Sequence, residues 1–233
     1  MEKQDTSSGN YYRKLRNKAM LIIIFVSILL GLILFISAGS VAYWQAWVCC
    51  AVYFISTIGI CIYLLKNNPK LLERRMRIRE KEREQKLFFK LALLVLVTAF
   101  IISGLDYRFK WSYVPIVVII IADMICFLCY LLFIVVLKEN EYASRIIEIE
   151  NGQKVISTGP YAVIRHPMYL AAMVIYGCSP IALGSWWALL AVIPLPVLFI
   201  FRILNEEKTL MKNLAGYNEY IRKVKYRLIP FIW

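Results

Sequence analysis

The chain has 233 residues, of which 61% are hydrophobic, and its mean hydropathy of +0.63 is typical of a membrane protein. Its formal net charge of +13 would also suit a nucleic-acid partner, but the basic residues cluster between apolar runs, as they do beside membrane headgroups. We therefore exclude a soluble fold, predict no nucleic-acid partner, and expect membrane lipids as neighbours.

The six cysteines all lie inside apolar stretches and lack the paired loop spacing of a disulfide framework. Cys126 and Cys129 form a CxxC motif, but it is embedded in the apolar run "DMICFLCYLLFIVV" without a nearby histidine. Structural zinc sites use four Cys or His ligands, typically in closely spaced pairs. The sequence predicts no metal site.

Apolar segments mark the predicted membrane helices in chain order. The bilayer core needs about 20 apolar residues to be crossed by a helix. Two later segments are shorter or contain prolines, and only "GSWW" separates them, which predicts a helical hairpin or a re-entrant pair. The predicted fold is thus an all-α polytopic integral membrane protein with about six membrane segments, at 19–38, 46–65, 87–105, 113–137, 168–183 and 186–204.

The distribution of basic residues predicts the orientation. Of the 28 Lys and Arg residues, 25 fall in the N-terminal arm, the 66–86 loop, the 138–166 segment and the tail from Arg202 onward. Only Arg108 and Lys110 fall in loops on the other side. The positive-inside rule then predicts that both termini and the 138–166 segment are cytoplasmic.

Three parts of the chain are predicted. Residues 1–65 form the N-terminal arm and two membrane helices, and 66–86 form a basic cytoplasmic loop with a charged helix that faces the lipid headgroups. Residues 87–233 form the remaining membrane core, which ends in a C-terminal cytoplasmic helix.

A change of period precedes the fifth membrane segment. In "SRIIEIENGQKVIST" (144–158), isoleucines alternate with charged residues, and Asn151-Gly152 is a strong signal for a two-residue hairpin turn. The pattern predicts a small cytoplasmic β-hairpin.

Two polar clusters flank the last two apolar segments. Arg165-His166-Pro167 precedes one segment, and Arg202 with Glu206 follows the other, four residues apart on one helical face. Each cluster alone could be a headgroup anchor or a salt bridge at a helix end. Because both are predicted to be cytoplasmic and at the open ends of one hairpin, together they predict a pocket at the membrane surface.

The pocket lacks the parts of several reactions. The sequence has no Ser-His-Asp set, no GxGxxG after a strand and no phosphate-binding glycine loop. A polar cofactor that brings its own reactivity therefore fits the residues better, since the protein then supplies binding and orientation.

The residues of these clusters resemble a known family. "NNPKLLERRMR", "NEYASRIIEIENGQKVISTGPYAVIRHPMYL", "LGSWWALL" and "RILNEEKTLMKNLAGYNEYIRKVKYRLIPFIW" resemble the isoprenylcysteine carboxyl methyltransferase family, especially its bacterial-type members. The resemblance covers about residues 67–233. The two-part pattern GPY-x3-RHP-x-Y with R-x3-EE is its most specific element.

The resemblance implies an integral-membrane methyltransferase that uses S-adenosyl-L-methionine without a soluble Rossmann-like domain. It implies that Arg202 positions the acceptor group. It also implies a lipophilic or prenylated acceptor that enters from the bilayer. The residues implied to bind the cofactor are Gln153, Lys154, Val155, Ile156, Tyr161, His166, Pro167, Met168, Tyr169, Glu206 and Glu207.

Several alternatives remain open from the sequence. Phospholipid N-methyltransferases share the acidic pair, and their amine acceptor needs a deprotonation that a carboxylate does not. A non-catalytic scaffold, a transporter or a sterol-type reductase would use the same helices differently. Asp123 is the one carboxylate well inside a predicted span, which is a functional hypothesis by default. It has no partner nearby in the sequence, and a hydrogen bond to a neighbouring helix explains it equally well, so it is left out of the predicted site.

Overall fold

The computed structural model describes residues 2–77, 83–144, 146, 149–150 and 152–233, and side chains outside 2–8 and 83–84. Within these ranges the chain is helical and forms no sheet. The helices are α1 (Glu2–Ala38), α2 (Trp44–Asn67), α3 (Pro69–Arg75), α4 (Arg83–Phe109), α5 (Ile116–Glu139), a 3-10 turn (Gly159–Ala162), α6 (Pro167–Ala182), α7 (Trp186–Ala191), α8 (Pro194–Asn213) and α9 (Tyr217–Lys223).

Five stretches of the described helices are long and apolar enough to cross a membrane, which fits an integral membrane protein. They are Gly9–Ala38, Trp44–Asn67, Gln85–Phe109, Ile116–Glu139 and Trp186–Asn213. The predicted count of six is not supported, because the predicted fifth segment is the 16-residue helix α6. At 1.5 Å per residue α6 is about 24 Å long, which is shorter than a hydrocarbon core of about 30 Å.

A turn at Gly184-Ser185 separates the last two apolar segments of the chain. Gly184 has a φ of 77°, a conformation that favours glycine, and Ser185 caps α7 by accepting a hydrogen bond from the Ala188 N–H at 3.0 Å. Pro194 then begins α8, where its missing N–H is not needed. The turn between α6 and α7 is thus encoded locally.

One end of the bundle is tied by buried polar contacts, and we call it the closed end. Asp106 on α4 accepts hydrogen bonds from the Ser112 hydroxyl at 2.6 Å and from the Ser185 hydroxyl at 2.5 Å. Tyr43, between α1 and α2, donates its hydroxyl to the Leu183 carbonyl at 2.5 Å. These bonds join the α1–α2, α4–α5 and α6–α7 loops, so all three loops lie at the closed end.

Basic segments of the chain lie at the opposite end of the bundle, which we call the basic end. Arg74 on α3 forms an ion pair with Glu150, and Arg75 donates to the Ala143 carbonyl at 2.8 Å. Asn68 begins α3 by capping the Leu71 N–H at 3.0 Å. The predicted charged helix in 66–86 is thus confirmed over Pro69–Arg75, and residues 78–82 lie outside the described residues.

Helices α1 and α4 pack so closely that a side chain is excluded at their contact. A Cβ atom added to Gly104 would lie 1.9 Å from the Ser37 hydroxyl oxygen on α1.

Large apolar side chains such as Leu21 and Leu128 are exposed on the outer surface of the bundle, as expected for helices that face lipid.

The predicted β-hairpin is not supported. The Gln153 N–H does donate to the Glu150 carbonyl at 3.0 Å, and Gly152 has a φ of 78°, so a turn forms where it was predicted. The described residues on either side, 149–150 and 152–157, form no strand. Residues 145, 147–148 and 151 lie outside the described residues. The segment packs instead against α9, where Ile149 and Val155 contact an apolar cluster that includes Tyr217.

Candidate functional site

A cavity of about 800 Å³ extends from the basic end into the apolar interior of the bundle. Its volume lies in the range of sites that enclose small molecules. At the basic end it is lined by the 153–156 segment, the start of α6 and the polar turn of α8, and deeper it is lined by apolar faces of α1, α2, α4 and α5.

The cavity brings together most of the predicted site residues. Ten of the twelve line it, and Pro167 and Glu207 do not. The ten are Gln153, Lys154, Val155, Ile156, Tyr161, His166, Met168, Tyr169, Arg202 and Glu206.

Tyr161 is fixed by hydrogen bonds at both ends of the residue. Asn140 donates its side-chain amide to the Tyr161 hydroxyl at 3.0 Å, and Tyr220 on α9 donates to the Tyr161 carbonyl at 2.8 Å. Burial raises the pKa of Tyr161 to about 12, and burial also raises the pKa of Tyr217 and Tyr220. The three phenols therefore stay neutral at physiological pH and offer aromatic faces and hydroxyl groups.

The C-terminal tail positions the Arg165-His166 pair. The backbone N–H groups of Arg165 and His166 donate to the carbonyls of Tyr226 and Arg227 at 2.9 and 3.0 Å. The imidazole stacks on the Tyr169 ring, with 5.6 Å between ring centroids and an angle of 21°. The only histidine of the chain thus forms part of the cavity wall where α6 begins.

Glu207 lies behind this wall in a buried ion cluster. One carboxylate oxygen lies 3.3 Å from His166 Nε2 and 3.2 Å from Arg165 Nε, and the other accepts a hydrogen bond from Arg227 Nε at 2.8 Å. Only 2% of Glu207 is exposed. Its position joins α8, the start of α6 and the tail, which is the geometry of a structural ion cluster rather than of a cavity wall.

Arg202 and Glu206 line the cavity together, as their spacing predicts. They are linked through Tyr169, whose hydroxyl accepts a hydrogen bond from Arg202 Nε at 2.9 Å and donates one to the Glu206 carboxylate. The sequence left open whether the two residues pair or flank a ligand. In the structure a tyrosine hydroxyl lies between them, and both side chains face the cavity.

An aromatic cage surrounds the Arg202 guanidinium. Its central carbon lies 4.9 Å from the Phe88 ring centroid and 4.7 Å from that of Phe89, both on α4. Gln85, also on α4, accepts a hydrogen bond from Arg202 Nη1. With 4% of its surface exposed, Arg202 is held in one orientation where the polar end of the cavity meets the apolar part.

Arg165 presents an unsatisfied donor in the cavity wall. Its Nη1 is buried and has no hydrogen-bond partner among the described residues, and its Nε approaches Glu207 at ion-pair distance without hydrogen-bond alignment. Since Arg165 lines the cavity and is 6% exposed, this guanidinium is suited to an anionic group of a bound molecule.

Several residues of the site could not be recognised in the sequence. Gln85, Phe88 and Phe89 contact Arg202 across more than 100 residues of sequence, and Asn140 reaches Tyr161 from the end of α5. The only local signal was a glutamine and two aromatic residues at the basic end of a membrane helix, a composition that interface anchoring also explains.

The described side chains suit binding and orientation. Among them, no group of three or more His, Cys, Asp or Glu residues could hold a metal ion. The polar end offers a carboxylate, three guanidinium groups and tyrosine rings, which can together bind a molecule that carries charges of both signs. The apolar end can hold a hydrocarbon chain.

Comparison with known families finds a match that covers part of the chain. Residues 118–212 match the Isoprenylcysteine carboxyl methyltransferase (ICMT) family. This range contains α5 from its third residue, the 3-10 turn, α6, α7 and nearly all of α8. No curated protein matches the chain at a significant level.

Proposed function

We propose that the protein transfers a methyl group from S-adenosyl-L-methionine to a carboxylate on a lipophilic acceptor. Residues 118–212 match the isoprenylcysteine carboxyl methyltransferase family, which supports a membrane methyltransferase. The observation that carries this proposal is the continuity of the cavity. A polar end lined by ten predicted site residues continues, past Arg202, into an apolar part inside the bundle.

The polar end fits the charges of the proposed cofactor. S-adenosyl-L-methionine carries an ammonium, a carboxylate and a positively charged sulfur. Glu206 would bind the ammonium, and the unsatisfied Arg165 Nη1 would bind the carboxylate. The rings of Tyr161 and Tyr169 offer faces to the positive sulfur by cation–π contact.

The proposed reaction needs alignment more than proton transfer. The bound cofactor supplies a methyl group on a cationic sulfur, and the new oxygen–carbon bond forms as the carbon–sulfur bond breaks. A carboxylate is already ionised at physiological pH, so the step requires no general base. Arg202 would hold the acceptor carboxylate with its caged guanidinium, and the surrounding Phe88 and Phe89 would exclude water.

We infer that the acceptor enters from the bilayer and that the polar end faces the cytoplasm. Residues of α1 and α4 that are partly exposed on the bundle surface, such as Val26 and Leu93, also line the cavity, so its apolar part reaches the lipid-facing surface. The excess of Lys and Arg at the basic end supports the cytoplasmic side.

The cofactor is tested by direct binding. Purified protein in detergent should bind S-adenosyl-L-methionine saturably in calorimetry, and His166→Ala and Glu206→Ala should each weaken the affinity. Glu219→Gln, which changes an exposed carboxylate on α9, serves as the matched control and should bind normally. Affinity that is unchanged in both His166→Ala and Glu206→Ala would contradict the proposed site.

The acceptor group is tested by the chemistry of the product. Membranes that contain the protein are incubated with methyl-labelled cofactor, and the labelled lipid or peptide is identified by mass. Label that alkali releases indicates a methyl ester, as proposed. Label that resists alkali indicates an N-methylated amine and would overturn the carboxylate acceptor while leaving the methyltransferase assignment intact.

A further inference from the structure

A carboxyl group lies deep in the cavity and has no role in the proposed reaction. Asp123 on α5 lines the cavity and is 7% exposed. Its Oδ2 is buried and has no hydrogen-bond partner among the described residues. An unpartnered polar atom is costly in a low-dielectric interior, and a carboxyl group inside a membrane helix is more costly still. Such a residue is expected to serve a ligand.

Asp123 lies on the face of α5 that lines the cavity along its length. Cys126, Tyr130 and Phe133 line the cavity at successive steps of three, four and three residues, which is one face of a helix. Asn140, at the basic end of the same helix, also lines it. The 17 residues from Asp123 to Asn140 correspond to about 25 Å at 1.5 Å per residue.

The neighbouring helix indicates how far Asp123 lies from the reacting end. Cys126 Sγ lies 3.8 Å from the Ile175 carbonyl oxygen on the antiparallel helix α6, so Asp123 is level with about Ser179. Tyr169 lies ten residues before Ser179, and ten residues correspond to about 15 Å. An acceptor held beside Tyr169 and Arg202 would therefore reach Asp123 with an extended chain of about that length.

Two protein donors near Asp123 are directed elsewhere. The Ser179 hydroxyl lines the same cavity but donates to the Ile175 carbonyl of its own helix at 2.6 Å. The Cys126 thiol also points at that carbonyl. Neither donor serves the carboxyl group of Asp123.

We propose that Asp123 is a specificity subsite that binds a hydrogen-bond donor, either a hydroxyl or an ammonium group, at the remote end of the acceptor. The inference rests on the proposed function for the position of the reacting carboxylate. A chain that ends in hydrocarbon would leave the Asp123 carboxyl without a partner, whereas a donor satisfies it. The acceptor is therefore polar at both ends, with an apolar chain between them.

Binding of matched probes tests the subsite without the cofactor. The full chain is placed in phosphatidylcholine nanodiscs, and empty nanodiscs correct for partition into lipid. The probes are dodecanoic, tetradecanoic and hexadecanoic acid. Each is used unmodified, with its terminal methyl group, and with a hydroxyl or an amino group on its ω carbon. At the best chain length, the wild type should bind the hydroxyl or the amino probe about tenfold more tightly than the methyl probe.

Variants at position 123 separate the two donors. Asp123→Leu should abolish the preference and bind the methyl probe at least as tightly as the wild type does. Asp123→Asn keeps an acceptor oxygen but loses the charge, so it should keep a hydroxyl preference and lose most of an amino preference. Met124→Leu, which changes a neighbouring lipid-facing residue, is the control and should bind all probes as the wild type does.

Two results would overturn the subsite: equal affinity of the wild type for all three ω groups, or a preference that persists in Asp123→Leu. The comparison of probes on the wild type needs no variant, so it tests the subsite even if Asp123→Leu folds poorly. Methyl transfer is measured separately. A preference without methyl transfer to any probe or lipid would count against the proposed function alone, and methyl transfer without a preference would count against the subsite alone.

Discussion

Glu206 and Glu207 are adjacent in the sequence, yet they belong to two different regions of the molecule. Glu206 faces the cavity and accepts a hydrogen bond from the neutral Tyr169 hydroxyl. Glu207 lies behind the cavity wall, where two arginines and the histidine surround its carboxylate. Successive helical residues point about 100° apart, so α8 presents one carboxylate to the ligand site and the other to the packed interior.

The comparison shows that the acidic pair combines a binding group with a structural one. A carboxylate surrounded by cations and 2% exposed holds elements together and has little capacity left for a ligand. A carboxylate that faces a cavity and accepts a hydrogen bond from a tyrosine hydroxyl can also bind a cationic group of a ligand. The same substitution should therefore reduce stability at Glu207 and ligand binding at Glu206.

The largest effect is expected from Glu207→Gln, and it should be on stability. The change leaves Arg165 and His166 buried without their anion, and removing one partner of a buried ion pair costs about 3–5 kcal/mol. The thermal unfolding midpoint in detergent should fall well below that of the wild type and of Glu206→Gln, the matched neighbour. An unchanged midpoint would show that the cluster is not structural.

Arg202→Lys should affect turnover more than stability. Lysine keeps the positive charge but loses the planar group that stacks on Phe88 and Phe89 and the Nε hydrogen bond to Tyr169. We expect kcat/KM for the acceptor to fall by about 30-fold, which corresponds to about 2 kcal/mol. Affinity for S-adenosyl-L-methionine should change little.

The control for this change is Arg222→Lys on the exposed surface of α9, which should leave kcat/KM unaltered. A loss of cofactor affinity in Arg202→Lys equal to the loss of kcat/KM would place Arg202 at the cofactor instead of the acceptor.

Glu206→Gln should affect binding and leave stability nearly unchanged. Loss of the charge should weaken the binding of S-adenosyl-L-methionine about tenfold, or by about 1.4 kcal/mol, as measured by calorimetry. The free energy of unfolding should stay within about 0.5 kcal/mol of the wild type, because the residue is only half-buried. If the unfolding midpoint instead fell as far as in Glu207→Gln, the contrast between the two carboxylates would be lost.

Tyr161→Phe should give the smallest effect. It removes the hydroxyl that accepts a hydrogen bond from Asn140, and a single hydrogen bond of this kind contributes about 1 kcal/mol. The expected result is a small fall of the unfolding midpoint. Tyr12→Phe, at a tyrosine that is 48% exposed, provides the comparison and should show no fall.

Local sequence patterns were sufficient for much of this molecule. Long apolar runs predicted the membrane helices, because a helix satisfies its own backbone hydrogen bonds in hydrocarbon. The four-residue spacing of Arg202 and Glu206 predicted that both face one side, and both line the cavity. The family resemblance on the RHP and EE motifs is confirmed over residues 118–212.

Local patterns failed where a partner distant in sequence decides the outcome. The alternation around Asn151-Gly152 predicted a hairpin, but the described residues form a turn and no strand, and they pack against α9. The count of six spans rested on apolar length with uncertain boundaries, whereas Pro167 and the Gly184-Ser185 turn limit α6 to 16 residues.

The sequence by itself determined that the chain is a helical membrane protein, where its basic residues cluster, and which motifs resemble the isoprenylcysteine carboxyl methyltransferase family. These properties follow from composition and helical periodicity, which are local. Only the tertiary structure decided that Glu207 is enclosed by Arg165, His166 and Arg227 and that Asp123 lines the same cavity as Arg202. Both outcomes depend on the packing of helices far apart in sequence, because burial and pairing of a charge are properties of its whole surroundings.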